Sequence, residues 1–306
     1  MSDPKFAAYS FVDRIVEFVP GKRARATFAI PARIAAFPAA LVAEAVGQLA
    51  AWVAMESIDF RGRPVAALAA ETRFLGDAKP GDVLDLAVDI LECDDDAVAY
   101  NGHASIGARR IIELVDCLGP MLPVAEFDAP EALRERLALL RGAGAAPERF
   151  RGVDTIAASV THRVPGTELR ASVDVPAAAA FFADHFPRRP VFPATLLLDL
   201  KMRLALDLAR ESPQMHGMRP LRMTHVKMRS FIAPSQRLDI GVALAPPQNG
   251  VAKAMLTAKT GDRLVASARL ELAAPHPPRS RSAPSPRVRG EGWSEGRRKP
   301  QASGNR

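Results

Sequence analysis

The residues with the most chemical promise lie between Phe181 and Arg203, FFADHFPRRPVFPATLLLDLKMR. His185 opens a stretch in which Pro187, Pro190 and Pro193 fix three backbone φ angles and remove three donors. The segment after the histidine is therefore a stiff extended loop, and a helix can begin only after Pro193. From Ala194 onward Leu196, Leu197, Leu198, Leu200, Leu204 and Leu206 make a helix that is apolar nearly all round, as expected of one buried on most sides. Asp199 sits inside that run, where a carboxylate is costly unless something uses it or pairs with it. A lone loop histidine is most often bonded to backbone, but the spacing of His185 from the prolines and from Asp199 shifts that weighting.

The pattern HFPxRPxxP, followed by an acid fourteen residues after the histidine, resembles the bacterial 3-hydroxyacyl-ACP dehydratases of fatty-acid synthesis, which have the hotdog fold. The resemblance implies that His185 is a catalytic base and that Asp199 stands at the position of the catalytic acid. Three residues depart from the family pattern. Asp184 replaces a Gly before the histidine, Ala194 a Gly after the last proline, and Arg203 a Gln four residues past the acid.

The chain contains a second, partial copy of this region. Gly21–Pro31 lies over Gly166–Pro176 at an offset of 145, and Phe37-Pro38-Ala39-x-Leu41 lies over Phe192-Pro193-Ala194-x-Leu196 at an offset of 155. The ten extra residues of the second copy hold the histidine loop, and the first copy has none. At the second offset Glu44 falls over Asp199 and Gln48 over Arg203. Glu44 and Gln48, at i and i+4, share one face of a small-residue helix, AALVAEAVGQLAAWVAM.

The elements that must position these residues follow the same repeat. Strands are expected at about 65–75, 83–92, 97–106 and 109–118 after the first helix, an α+β arrangement. Residues 120–152 form a linker with an amphipathic helix, N-capped by Asp128 with Pro130 in its first turn. The expected organisation is a double hotdog, two antiparallel sheets each wrapped around a long central helix. Residues 1–119 form the first hotdog domain, 153–273 the second with the histidine loop, and 274–306 a disordered basic tail.

Single-hotdog dehydratases are dimers whose sites take the histidine from one protomer and the acid from the other. The resemblance therefore implies a pseudo-dimer within one chain in which His185 faces Glu44, supported by Gln48 and by the backbone N–H of Ala194 as carbonyl donor. The opposite site, with Asp199 but no histidine, would be vestigial. The activity implied is elimination of water from a 3-hydroxyacyl thioester carried on acyl carrier protein or CoA. The alternatives are a hotdog thioesterase and a non-catalytic acyl-carrier-binding protein. Arg188, Arg189, Lys201 and Arg203, with Arg222, Lys227 and Arg229 beyond, are a candidate docking patch for an acidic carrier or for CoA phosphates.

The net charge of +7 does not point to nucleic acid. Residues 275–306 carry eight Arg or Lys against two Glu, which leaves +1 for residues 1–274. Cys93 and Cys117 are the only cysteines and provide neither a disulfide framework nor a metal cluster, so neither a metal nor a cofactor is expected. Apolar runs are broken by charges before spanning length and no cleavable leader is visible, so a cytoplasmic protein without a membrane segment is expected, its fused pair open to further homo-oligomerisation.

Overall fold

The computed structural model describes residues 6–274, and the basic tail lies outside the described residues. In chain order the elements are β1 (Arg14–Val19), β2 (Arg23–Ala29), α1 (Ala39–Ser57), β3 (Gly62–Pro64), β4 (Leu68–Phe74), β5 (Val83–Cys93), β6 (Ala97–Ile106) and β7 (Arg109–Pro123). Then come α2 (Pro130–Arg141), β8 (Ser159–Val164), β9 (Glu168–Asp174), α3 (Ala194–Arg210), β10 (Arg219–Met228), β11 (Arg237–Gln248), β12 (Val251–Thr260) and β13 (Arg263–Ala273).

Both long helices begin directly after a proline, α1 after Pro38 and α3 after Pro193. Proline has no N–H to leave unbonded at a helix start and its fixed φ suits the entry. Both helices are apolar on most sides because both are core. Val42, Val46, Leu49 and Val53 of α1, and Leu197, Leu200, Ala205 and Leu208 of α3, are buried. By length and composition α1 could also cross a bilayer, contrary to the expectation that no run is long enough, yet 61% of its most apolar window is buried inside the protein. The helix comes so close to the sheet that a Cβ on Gly102 of β6 would meet Val46 Cγ1 at 2.4 Å, which explains a glycine in mid-strand.

The strands form one antiparallel sheet in the order β1-β2-β5-β6-β7-β4-β10-β13-β12-β11-β9-β8, with β3 added against β7. Read from the middle outward the order is mirrored: β4-β7-β6-β5-β2-β1 on one side answers β10-β13-β12-β11-β9-β8 on the other. The large antiparallel sheet with few helices fits a double hotdog. The two antiparallel sheets expected of the halves join edge to edge in one continuous ladder, because β4 and β10 pair with each other from Arg73↔Arg222 to Leu68↔Lys227. Against this sheet α1 packs on β5, β6 and β2, and α3 on β11 and β12, while the two helices also touch each other. The β11–β12 hairpin turns at Asn249-Gly250, both with positive φ as a two-residue type I′ turn requires.

The linker helix α2 departs from expectation at its start. Ala129, not Asp128, occupies the cap and makes no side-chain cap bond. The Asp128 carboxylate is only 2% exposed and pairs with Arg63, so burial of a charge took precedence over capping. Leu133, Leu137 and Leu140 bury the other face of α2, which packs on β1.

Candidate active site

A cavity of about 700 Å³ runs from the histidine loop along α1. His185, Glu44, Gln48 and Ala194 all line it, and Asp199 does not. The small residues Ala43, Gly47 and Ala51, at helical spacing on α1, form one wall, and Trp52, Met55, Leu133 and Leu140 extend it. The linker thus contributes to the cavity, which its amphipathic pattern alone did not reveal.

The histidine loop clamps its imidazole. Val191 donates its N–H to the His185 carbonyl at 2.9 Å, and its own carbonyl lies 2.9 Å from His185 Nδ1. A carbonyl can only accept, so Nδ1 carries the proton and Nε2 of the neutral ring keeps its lone pair. Phe186 stacks on the imidazole with centroids 4.2 Å apart, and Tyr9 meets its edge at 5.8 Å. Burial pushes the His185 pKa down, a shift that Glu44 opposes and Arg63 reinforces.

Glu44 is held from two helices. Gln48 Nε2, one turn on along α1, donates to its Oε1 at 3.0 Å, and Thr195 Oγ1 at the start of α3 donates to its Oε2 at 2.7 Å. Thr195 Oγ1 is in turn 2.8 Å from the Tyr9 hydroxyl. Ala194, the first residue of α3, presents one of the helix-terminal N–H groups that have no intrahelical acceptor.

Asp184 closes the turn before His185 with its backbone N–H, on the Phe181 carbonyl at 3.2 Å, and its side chain is used elsewhere. Its carboxylate accepts from the backbone N–H of Phe6, from that of Tyr9 at 2.7 Å and from Ser10 Oγ at 3.0 Å, and so pins the N-terminal segment beside the cavity. Burial raises its pKa while those donors pull it back.

Asp199 occupies the opposite position and is paired off. Arg203 Nε donates to its Oδ2 at 3.0 Å and Arg203 Nη2 reaches the Ile156 carbonyl at 3.4 Å. Burial raises the Asp199 pKa and Arg203 lowers it. Phe37 and Phe150 of the first half and linker pack edge-on with centroids 6.0 Å apart, and Phe11 joins them at 5.4 and 5.0 Å.

The expected docking patch is not one surface. Lys201 is fully buried on the core face of α3, so it cannot meet a carrier, and Arg203 is committed to Asp199. The helix pattern places position 201 on the same buried stripe as Leu197 and Leu208, and charge alone misled the expectation. Arg189 remains at the cavity, ion-paired to Glu126 at 2.6 Å and stacked 4.8 Å over Phe231, while Arg188 donates to the Ala125 carbonyl at 3.0 Å.

Three site residues carried no signal in the sequence. Tyr9 and Thr195 matter only through contacts spanning 151 to 186 residues. Arg63 lines the cavity and stacks 4.3 Å from the Phe186 ring centre while paired with Asp128. In sequence it was one of two arginines in the turn Arg61-Gly62-Arg63-Pro64.

Residues 161–268 match the family described as ApeI-like, ApeI dehydratase. A 3-hydroxyacyl-acyl-carrier-protein dehydratase FabZ of Rhizorhabdus wittichii is 33% identical over 102 residues, 32% of this chain, and the match takes in 65% of that protein, just under two thirds of its length. The corresponding protein of Lactobacillus helveticus is 25% identical over 115 residues, 37% of this chain and 78% of its own. Among solved structures, one named as an oleoyl thioesterase of Lactobacillus plantarum superposes with a TM-score of 0.55 at 8% identity, over 84% of this chain and 100% of that one. A tesB protein of Mycobacterium avium subspecies paratuberculosis superposes at 0.52 with 15% identity, over 85% and 95%. These two speak for the fold alone. Over residues 161–268, which hold the histidine loop, the chain is similar to the ApeI-like dehydratases, and over about a third of its length it is similar to 3-hydroxyacyl-acyl-carrier-protein dehydratases.

Proposed function

We propose that this protein is a hydro-lyase that removes water from a 3-hydroxyacyl thioester, with His185 as base and Glu44 as acid. The observation that carries the reading is that a neutral imidazole and a carboxyl group, supplied by the two halves of the chain, line the same largely apolar cavity.

In this reaction His185 Nε2 takes a proton from C2 of the substrate while Glu44 gives its proton to the hydroxyl leaving C3. Water departs, a C2–C3 double bond forms, and the proton gained by His185 balances the one lost by Glu44. The N–H of Ala194, at the positive end of α3, stabilises the thioester oxygen as negative charge develops on it. The lowered His185 pKa keeps the ring neutral and ready to accept. The apolar wall of Ala43, Gly47, Ala51 and Met55 suits an acyl chain, and Arg189 in the cavity lining suits the anionic groups of a carrier arm or of CoA. A cytoplasmic location, where such carriers work, belongs to the same proposal.

The test is hydration of a crotonyl thioester, the reverse reaction, by wild type, His185→Ala and Glu44→Gln. Turnover that both variants lose supports the lyase. Release of free thiol without hydration would assign a thioesterase, and carrier binding without either reaction would assign a non-catalytic role.

A further inference from the structure

Both oxygens of the Glu44 carboxyl group are held by donors, and the backbone dictates how. Gln48 Oε1 accepts the Phe11 N–H at 2.8 Å, so its amide nitrogen must be the end that meets the Tyr9 carbonyl at 2.9 Å and Glu44 Oε1 at 3.0 Å. A flipped amide would set donor against donor at Phe11 and acceptor against acceptor at Tyr9. Both amide hydrogens are then used and Glu44 Oε1 is an acceptor. Oε2 is therefore the oxygen whose proton can come and go.

Oε2 meets Thr195, and Thr195 meets Tyr9, at 2.7 and 2.8 Å. The Tyr9 side chain is 1% exposed, and burial together with Glu44 raises its phenol pKa well above the ordinary value. The phenol thus stays protonated and can always donate. With Glu44 ionised the chain runs Tyr9 O–H to Thr195 Oγ1, and Thr195 O–H to Glu44 Oε2. With Glu44 protonated on Oε2, that hydrogen faces the hydroxyl leaving the substrate, while Tyr9 and Thr195 keep the same donors, now toward a neutral oxygen.

The geometry points to Thr195, backed by Tyr9, as the positioning residue that stabilises the Glu44 carboxylate as its proton leaves. A hydrogen bond to an ionised acceptor is about twice as strong as one between neutral groups, so the chain tightens as charge appears. This rests on the reading of Glu44 as the acid. It also explains why the N-terminal segment is pinned so firmly by Asp184, since Tyr9 must not drift from Thr195.

The experiment is dehydration of a 3-hydroxybutyryl thioester, the direction in which Glu44 gives up its proton, by Thr195→Val, which keeps the shape and removes the hydroxyl, with Thr195→Ser and Tyr9→Phe beside it. Thr195→Val should lower kcat on the order of tenfold with KM within about twofold, Thr195→Ser should restore most of the rate, and Tyr9→Phe should fall between. Added to Glu44→Gln, Thr195→Val should cost nothing more, because the hydroxyl acts through the carboxylate. A full-rate Thr195→Val in a protein that Glu44→Gln impairs would overturn the proposal, as would full additivity of the two. A full-rate Glu44→Gln would instead overturn the acid assignment itself. Should Thr195→Val not fold, Thr195→Ala and Tyr9→Phe carry the same comparison.

Discussion

Arg203 Nε lies 3.0 Å from Asp199 Oδ2, one turn apart on α3, in the place where Gln48 serves Glu44 on α1. Each i+4 partner also reaches back to a backbone carbonyl in the segment before the first strand of its half, Gln48 to Tyr9 and Arg203 to Ile156. The scaffold is the same on both sides. The two sides differ in charge, because an amide is neutral whereas a guanidinium is a cation that favours the ionised form of its neighbour.

The first prediction is an asymmetry between these two acids. Glu44→Gln and His185→Ala should each reduce thioester hydration by on the order of a hundredfold or more. Asp199→Asn should change it by no more than a few fold, since Asp199 lies off the cavity. Abolished turnover in Asp199→Asn beside a silent Glu44→Gln would assign the site to the second half alone.

The pH dependence of kcat/KM reports the base. A base must be neutral to work, so rate is lost as pH falls through its pKa. Burial lowers the His185 pKa, which moves the acid limb of the profile below about 6.5, the ordinary value for histidine. Arg63 reinforces the shift, so Arg63→Met should return the limb toward higher pH. A limb at or above 6.5 in wild type would contradict the site's electrostatics.

Lys201 makes a prediction about stability. It is fully buried, its Nζ has no hydrogen-bond partner, and burial lowers its pKa to about 7. Between about pH 7 and 10 the unfolded chain holds a proton that the folded protein has released, so the unfolded state binds more protons and stability rises with pH. The slope from this group is at most ~1.4 kcal/mol per pH unit. Lys201→Met, which keeps the unbranched stem, should be more stable at pH 7 and should lack that rise. Denaturant midpoints measured from pH 7 to 9 decide it, and equal slopes in both proteins would refute it.

Asp184 should govern the order of the N-terminal segment. Asp184→Asn sets an amide against the Phe6 and Tyr9 N–H donors, at a cost of about 1–3 kcal/mol for buried groups left unpaired. Hydrogen exchange at residues 6–10 should quicken, and hydration should fall with it because Tyr9 and Ser10 line the cavity. Unchanged protection there would mean that packing of Phe6 against Trp52 and Arg136 suffices.

The sequence by itself determined what is local or periodic. Pro38 and Pro193 set where the long helices begin, the proline-rich loop set a histidine in rigid backbone, and the offset repeat put Glu44 and Asp199 in equivalent places. Such features are legible because they depend on φ restriction and on side-chain period, which act within a few residues. Tertiary structure alone decided the rest. The docking of α1 beside α3 brings Thr195 to Glu44 and Tyr9 to Thr195, the pairing of β4 with β10 makes one sheet of two halves, and the packing of α3 on β11 buries Lys201 rather than presenting it. These contacts join residues more than a hundred positions apart, or depend on which face of a helix meets the sheet, and a charged residue in the sequence carries no mark of which way it will face.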